Sequence, residues 1–168
     1  MMNYKNVTFL SLGSDLGDKE KNIAEAVLYI KSYIGKVLNI SNLYISEAWG
    51  FESKHLFLNN VIKVETNLSP MQLLNEIQQI QNKMGSEHNS LMSGYESRII
   101  DIDVIYYNNF IYNQKLLTIP HKQMQYRKFV LLPLLELSDN IKHPLFCVET
   151  FELLNKCKDK TKVTLYEI

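Results

Sequence analysis

Ile99-Ile100-Asp101-Ile102-Asp103-Val104-Ile105-Tyr106-Tyr107 is an apolar run interrupted on one face only, and the fold turns on how it is read. Successive side chains of a strand point to opposite faces, so Asp101 and Asp103 share a face about 7 Å apart along the strand. Apolar residues load both faces around them, which predicts a buried central strand rather than a solvated edge. Two carboxylates side by side in such a strand repel one another and lose hydration, so they require compensation. A pair of divalent cations shared with phosphate oxygens supplies it, because Mg²⁺ prefers oxygen ligands and typically uses one or two carboxylates plus substrate phosphates. Arg98, just upstream, carries the planar cationic fork suited to gripping those phosphates.

The segments on either side complete a pattern. Residues 7–12 read as a short strand that runs into a turn-rich loop, Gly13-Ser14-Asp15-Leu16-Gly17-Asp18. From Lys19 the period becomes helical, with Ile23, Val27, Ile30 and Ile34 on one stripe and Gly35 as the expected C-terminal cap. Residues 36–46 and 59–66 read as strands with a loop at 47–56 between them. Ser69-Pro70 is a helix start, and Leu73, Leu74, Ile77, Ile80 and Met84 form its buried stripe up to Gly85. Residues 86–97 form a polar loop without periodicity, expected to be mobile and to close over a nucleotide. After the Asp-bearing strand, Asn108-Asn109 predicts a turn leading into a hairpin at Phe110-Ile111. Helices are expected at 129–137 and 150–157, and a last strand at 163–166. The order strand, helix, strand, strand, helix, strand is the split βαβ pattern of an α+β ferredoxin-like sandwich, a mainly antiparallel sheet with helices packed on it.

A length of 168 residues, 46% of them hydrophobic, supports one well-filled core, so residues 1–168 are expected to form a single domain. Lys and Arg number 18 and so do Asp and Glu, leaving no electrostatic footprint for nucleic acid or an anionic membrane. Residues 1–7 contain no signal-like apolar stretch. The longest apolar run, 129–135, is too short to span a bilayer and contains Pro133. A cytoplasmic monomer acting on small molecules is the expectation. Cys147 and Cys157 have no metal-ligand spacing and are expected as reduced thiols. Residues 13–18 lack the Gly-Lys-Ser/Thr ending of a Walker-type loop.

Arg98-Ile99-Ile100-Asp101-Ile102-Asp103-Val104-Ile105, together with Gly13-Ser14-Asp15-Leu16-Gly17, Ala48-Trp49-Gly50, Phe57-Leu58-Asn59 and Ile119-Pro120-His121 in this order, resembles the 6-hydroxymethyl-7,8-dihydropterin pyrophosphokinases. The resemblance implies transfer of a pyrophosphoryl group from ATP to the pterin hydroxymethyl, with release of AMP, in folate biosynthesis. It implies two Mg²⁺ ions on Asp101 and Asp103, and a triphosphate held by Arg98 on one side and by His121 and Arg127 on the other. Val104 and Thr118 would border the adenine. Ser46, Trp49 and Asn59 fall where the family recognises the pterin, with Phe57 and Phe129 as aromatic surfaces around it.

Each of these residues also has an ordinary role open to it. An Asn in a strand caps or forms bulges, a lone Trp fills a core, His121 follows a proline in a loop, Phe129 packs a helix, and Arg127 can be a solvated charge. Their recurrence together in the family's order favours the site. Three departures stand out: Gly85-Ser86-Glu87-His88 replaces the family's Gly-Arg-x-Arg, Gln81 replaces Glu, and Ser14-Asp15-Leu16 replaces Ser-Asn-Leu. Lys83 and His88 are the cations at hand to replace the missing arginines in part. The departures leave open a second class, a pterin- or nucleotide-binding homologue with weakened or lost catalysis. A third class, an RNA-binding module, is disfavoured, since carboxylates on the sheet repel a phosphate backbone.

Overall fold

The computed structural model describes residues 5–86, 97–137 and 141–167. The elements in chain order are β1 (Asn6–Ser14), α1 (Lys19–Tyr33), β2 (Gly35–Ile40), β3 (Tyr44–Ser46), β4 (Phe57–Thr66), α2 (Pro70–Lys83), β5 (Asp101–Tyr107), β6 (Tyr112–Asn113) and β7 (Thr118–Ile119). A 3₁₀ turn (Met124–Tyr126), α3 (Lys128–Leu137), α4 (Thr150–Lys156) and β8 (Val163–Leu165) follow. The main sheet is antiparallel in order β5-β1-β4-β3-β8, with β2 also on β4, and β6 and β7 form a separate pair. This is the expected α+β sandwich.

Alternation sorts the strand side chains into two layers. Leu10, Leu12, Ile62, Val64, Ile102 and Val104 pack against Ile23, Ile30, Leu73, Ile77 and Ile80 of α1 and α2. On the opposite face Phe9, Val61, Ile105 and Tyr106 pack against Val130, Leu131 and Leu134 of α3. The helix starts are locally encoded. Asp18 accepts from the Lys21 N–H at 3.1 Å, and Ser69 and Gln72 form a capping box ahead of Pro70.

Four local expectations are corrected. The Asp-bearing β5 is an edge strand, not a central one, and its outer edge is covered by the segment after β7, where the His121 N–H donates to the Ile105 carbonyl at 3.1 Å. The expected strand 36–46 is two strands. β2 pairs with Ile62–Thr66 and β3 with Phe57–Asn59, and Ser41 between them exchanges 2.9 Å bonds with both the N–H and the carbonyl of Val61. Gly35 opens β2 instead of capping α1; a Cβ there would lie 2.1 Å from the Glu65 carbonyl oxygen, so the tight approach of β2 to β4 requires glycine. Asn108 does turn the chain, at φ 47°, but its side chain bonds β1 through the Val7 N–H (2.8 Å) and Asn6 Oδ1 (2.9 Å), and the return strand β6 pairs with β7 rather than β5. Of the polar loop 86–97, only Ser86 and Ser97 are among the described residues, so its expected mobility and closure lie outside them.

Candidate active site

Helix α3 covers only part of its face of the sheet. Along β1, β4 and β5 the residues on this face change from Phe9, Val61 and Ile105 beneath α3 to Ser11 and Gly13, Asn59, and Asp103 and Asp101 beyond it. Strand pairing sets these in rows: Asp101 lies opposite Gly13, which lies opposite Asn59, while Asp103 lies opposite Ser11. A Cβ at Gly13 would approach Asn59 Oδ1 to 3.1 Å, so the missing side chain keeps the floor open between the carboxylates and the amide.

Two clefts meet at the carboxylates. The first, of about 870 Å³, is lined by Ser11, Gly13, Ser46, Glu47, Trp49, Phe51, Phe57, Asn59, Arg127 and Phe129 together with Asp101 and Asp103. Asn59 is buried, and its amide donates to Ser46 Oγ at 3.0 Å. The Arg127 guanidinium lies 4.9 Å from the Trp49 ring centre and 5.8 Å from that of Phe129. The same guanidinium reaches Asp103 Oδ2 at 3.2 Å through Nη1 and Gln123 Oε1 at 2.7 Å through Nη2. The second cleft, of about 900 Å³, is lined by Leu74, Ile77, Gln78, Gln81, Val104, Lys115, Leu117, Thr118, His121 and Lys122, again with Asp101 and Asp103. The two carboxylates form a wall common to both.

Arg98 meets Asp101 Oδ1 at 3.1 Å, and the Gln81 amide approaches the same oxygen at 3.4 Å. The backbone that carries Arg98 is held by the loop after β1. Buried Asp15 accepts from the Arg98 N–H at 2.7 Å, and the Ser14 hydroxyl donates to the Ile99 carbonyl at 2.6 Å. Ser86 accepts from the Ile100 N–H at 2.9 Å. The loop residues that resemble the family's are thus a clasp on the strand entry.

Burial foremost, and then the charge of Asp103, pushes the Asp101 carboxyl up to about 6; Arg98 and Arg127 oppose the rise without cancelling it. Burial, seconded by the Arg127 guanidinium, pushes the His121 imidazole down to about 4 against the pull of Asp101. Its Nε2 lies 3.7 Å from Asp103 Oδ2, so near neutrality this is a contact between a neutral imidazole and a carboxylate, not an ion pair.

The structure therefore brings together the residues singled out in sequence: Ser46, Trp49, Phe57, Asn59, Arg127 and Phe129 in the first cleft, Val104, Thr118 and His121 in the second, Asp101 and Asp103 in both, and Arg98 hydrogen-bonded to Asp101. Lys83 is elsewhere. Its ammonium sits 4.2 Å from the Tyr33 ring centre on α1, so it does not replace a phosphate-binding arginine. His88 lies outside the described residues. Sequence reading missed Ser11, Gly13, Glu47 and Phe51 in the first cleft, and Gln78, Lys115 and Lys122 in the second. Ser11 and Gly13 repeat the i, i+2 signature of Asp101 and Asp103, but only strand pairing aligns the two.

The family described as 7,8-dihydro-6-hydroxymethylpterin-pyrophosphokinase matches residues 9–139. The 2-amino-4-hydroxy-6-hydroxymethyldihydropteridine pyrophosphokinase of Aquifex aeolicus is 36% identical over 138 residues, covering 82% of this chain and 84% of that protein. The folic acid synthesis protein fol1 of Schizosaccharomyces pombe is 38% identical over 155 residues, and there the chain spans 92% of its own length but only 20% of the relative. A crystal structure of Plasmodium falciparum HPPK-DHPS superposes with a TM-score of 0.73 at 18% identity, over 92% of this chain and 44% of that one, which shows a shared fold. With the match running from β1 through α3 and the Aquifex aeolicus relative covered over most of its length, the chain belongs to the 7,8-dihydro-6-hydroxymethylpterin-pyrophosphokinase family.

Proposed function

We propose that the chain, acting as one domain, transfers a pyrophosphoryl group from ATP to 6-hydroxymethyl-7,8-dihydropterin and releases AMP, a step of folate biosynthesis. The observation that carries the reading is the wall of Asp101 and Asp103 shared by two clefts of different chemistry. One cleft offers aromatic faces and a buried amide, which suit a flat heterocycle with a hydrogen-bonding edge. The other offers apolar and cationic residues, which suit a nucleotide with its phosphates.

The donor set fits a hard cation. Among the described residues no cluster of three or more His, Cys, Asp or Glu side chains forms a closed cage, and two carboxylates leave most positions of an octahedral ion to water and phosphate. Asp101 and Asp103 would hold two Mg²⁺ ions, which when bound neutralise phosphate charge and acidify the attacking hydroxyl. Arg98, His121, Arg127, Lys115 and Lys122 would hold the triphosphate, with Val104, Leu117 and Thr118 beside the adenine. Asn59 and Ser46 would fix the pterin edge, and Trp49, Phe57 and Phe129 its faces. So oriented, the hydroxymethyl oxygen forms a bond to the β-phosphorus as the bond from that phosphorus to the α–β bridging oxygen breaks. AMP departs with the bridging oxygen, and the hydroxyl proton passes to water. Positioning and charge account for the acceleration, as is general for phosphoryl transfer.

ATP and the pterin are the only partners this reading requires, with neither nucleic acid nor membrane. Both cysteines are free thiols, in keeping with the reducing cytoplasm, where a monomer suffices. No helix among the described residues is long and apolar enough to cross a membrane. The test is AMP release from Mg-ATP with authentic pterin. Turnover is expected, with Asp101→Ala and Asp103→Ala each slower by about 10²- to 10³-fold. Binding of both ligands without AMP release would leave only the non-catalytic alternative.

A further inference from the structure

Arg127 occupies the N-cap of α3: the N–H groups of Val130 and Leu131 both donate to its carbonyl at 3.0 Å. An N-cap side chain normally turns back to accept from the first N–H groups of its helix, which takes a short residue with an oxygen. A guanidinium has no acceptor, and this one extends the other way to Asp103, Trp49 and Phe129. The N–H of Lys128, the first residue of α3, is satisfied from far along the chain. Asp159 Oδ2 accepts from it at 2.9 Å, while Oδ1 accepts from the Thr161 N–H (2.9 Å) and hydroxyl (2.7 Å). The chain then enters β8, which pairs Val163 with Ser46, and Lys162 exchanges backbone and carboxylate bonds with Glu47 at 3.2 and 3.1 Å. Ser46 and Glu47 line the same cleft as Arg127 and Phe129.

We propose that Asp159, which lies beyond the 9–139 span of the family match, is a positioning residue of the first cleft. Its carboxylate caps α3 in place of the side chain that Arg127 cannot supply. Lys128 is thereby fixed, and its neighbours Arg127 and Phe129 are set at the height where the guanidinium meets Asp103 and lies near both rings. A negative charge at a helix N-terminus adds to the hold. The strap of residues 159–165 ties this helix start to the β3 wall, so the two sides of the cleft keep their spacing.

The kinetic part of the test rests on the pyrophosphokinase reading; a fluorescence part does not. Trp49 is the only tryptophan, and Arg127 lies over its ring. In Asp159→Ala the helix start loosens, Arg127 leaves the indole, and acrylamide quenching of Trp49 should at least double. The KM for pterin should rise about fivefold, and the KM for ATP by less, because Arg127 also serves the triphosphate. Asp159→Asn should restore them only in part, since its amide offers one accepting oxygen where the carboxylate uses two, one for the Lys128 N–H and one for Thr161. A purely structural role would lower the melting temperature and leave the pterin KM alone. Should Asp159→Ala fail to fold, Thr161→Val, which removes one bond to the carboxylate, should move quenching and KM in the same direction by less. Wild-type quenching in folded Asp159→Ala, or in Thr161→Val where that is the folded variant, overturns the proposal. If the wild-type enzyme releases no AMP, the pyrophosphokinase reading falls and the quenching comparison still decides the role of Asp159.

Discussion

Asp101 is held as a strained charge. Its carboxyl is pushed up to about 6 because burial and Asp103 outweigh the two arginines. The folded protein then binds this proton more tightly than the unfolded chain, whose Asp titrates near 3.8. The penalty is absent below the unfolded value, grows as pH rises through about 6, and is complete above it. The metal-free protein should therefore gain stability as the pH is lowered from 7 toward 5, as far as Asp101 contributes. The side chain is 34% exposed, so solvent screening reduces the stake to about 1 kcal/mol. Asp101→Asn should raise the metal-free melting temperature by about 2–4 °C at pH 7.5, flatten its pH dependence, and slow turnover by about 10²- to 10³-fold. Thermal melts across pH with chelator present check this, and an unchanged or lower melting temperature in the variant counts against it. A second expectation belongs to Gly13. Gly13→Ala places a methyl 3.1 Å from Asn59 Oδ1, so the pterin KM should rise several-fold while the ATP KM stays put. Steady-state kinetics with each substrate varied in turn would reveal the split.

Elements were legible where periodicity and caps agree. α1 and α2 follow from apolar stripes at helical spacing, and Ser69-Pro70 places the start of α2. Strand neighbours were less so, because a side-chain pattern records which faces are covered and says nothing about which edges are paired. β5 is buried on both faces and still lies at an edge, its outer side met by the backbone of His121 rather than by a strand of the main sheet. The break between β2 and β3 was hidden for the same reason, since Ser41 makes its bonds across to Val61. Gly35 looked like a helix cap because a glycine after an apolar helical run usually is one; its constraint comes instead from the Glu65 carbonyl on the adjoining strand. That constraint has a measurable size. Gly35→Ala forces a methyl to 2.1 Å from that oxygen, so β2 or β4 must shift, at about 2–3 kcal/mol. Urea unfolding should show that loss, while AMP release per folded molecule stays at the wild-type level because the contact lies away from both clefts. Destabilisation below about 0.5 kcal/mol would mean that the strands separate freely at this point.

At the scale of the molecule, one sheet face is divided between a core and a site. α3 covers the end where Phe9, Val61, Ile105 and Tyr106 stand, and the uncovered end carries the polar residues of three strands. The carboxylates could be named from their i, i+2 spacing in an apolar run, and Asn59 and the aromatic residues because the resemblance fixed their order; that they converge depends on pairing between β1, β4 and β5, which no single segment encodes. The division implies a definite pattern of energetic coupling. Asn59 lines one cleft, Lys122 the other, and Asp103 both. Asn59→Ala should raise the pterin KM and Lys122→Ala the ATP KM, each about tenfold, with the lysine effect shrinking at high salt. Because these two side chains belong to separate clefts, the double variant should lose transition-state stabilisation equal to the sum of the single losses within about 0.5 kcal/mol. Asp103→Asn combined with either should depart from additivity, since both substrates meet at that carboxylate and its partners act as a unit. A double-mutant cycle on kcat/KM reads this directly: strong coupling between Asn59 and Lys122, or none between either and Asp103, would show that the acidic wall is not where the two substrates are brought together.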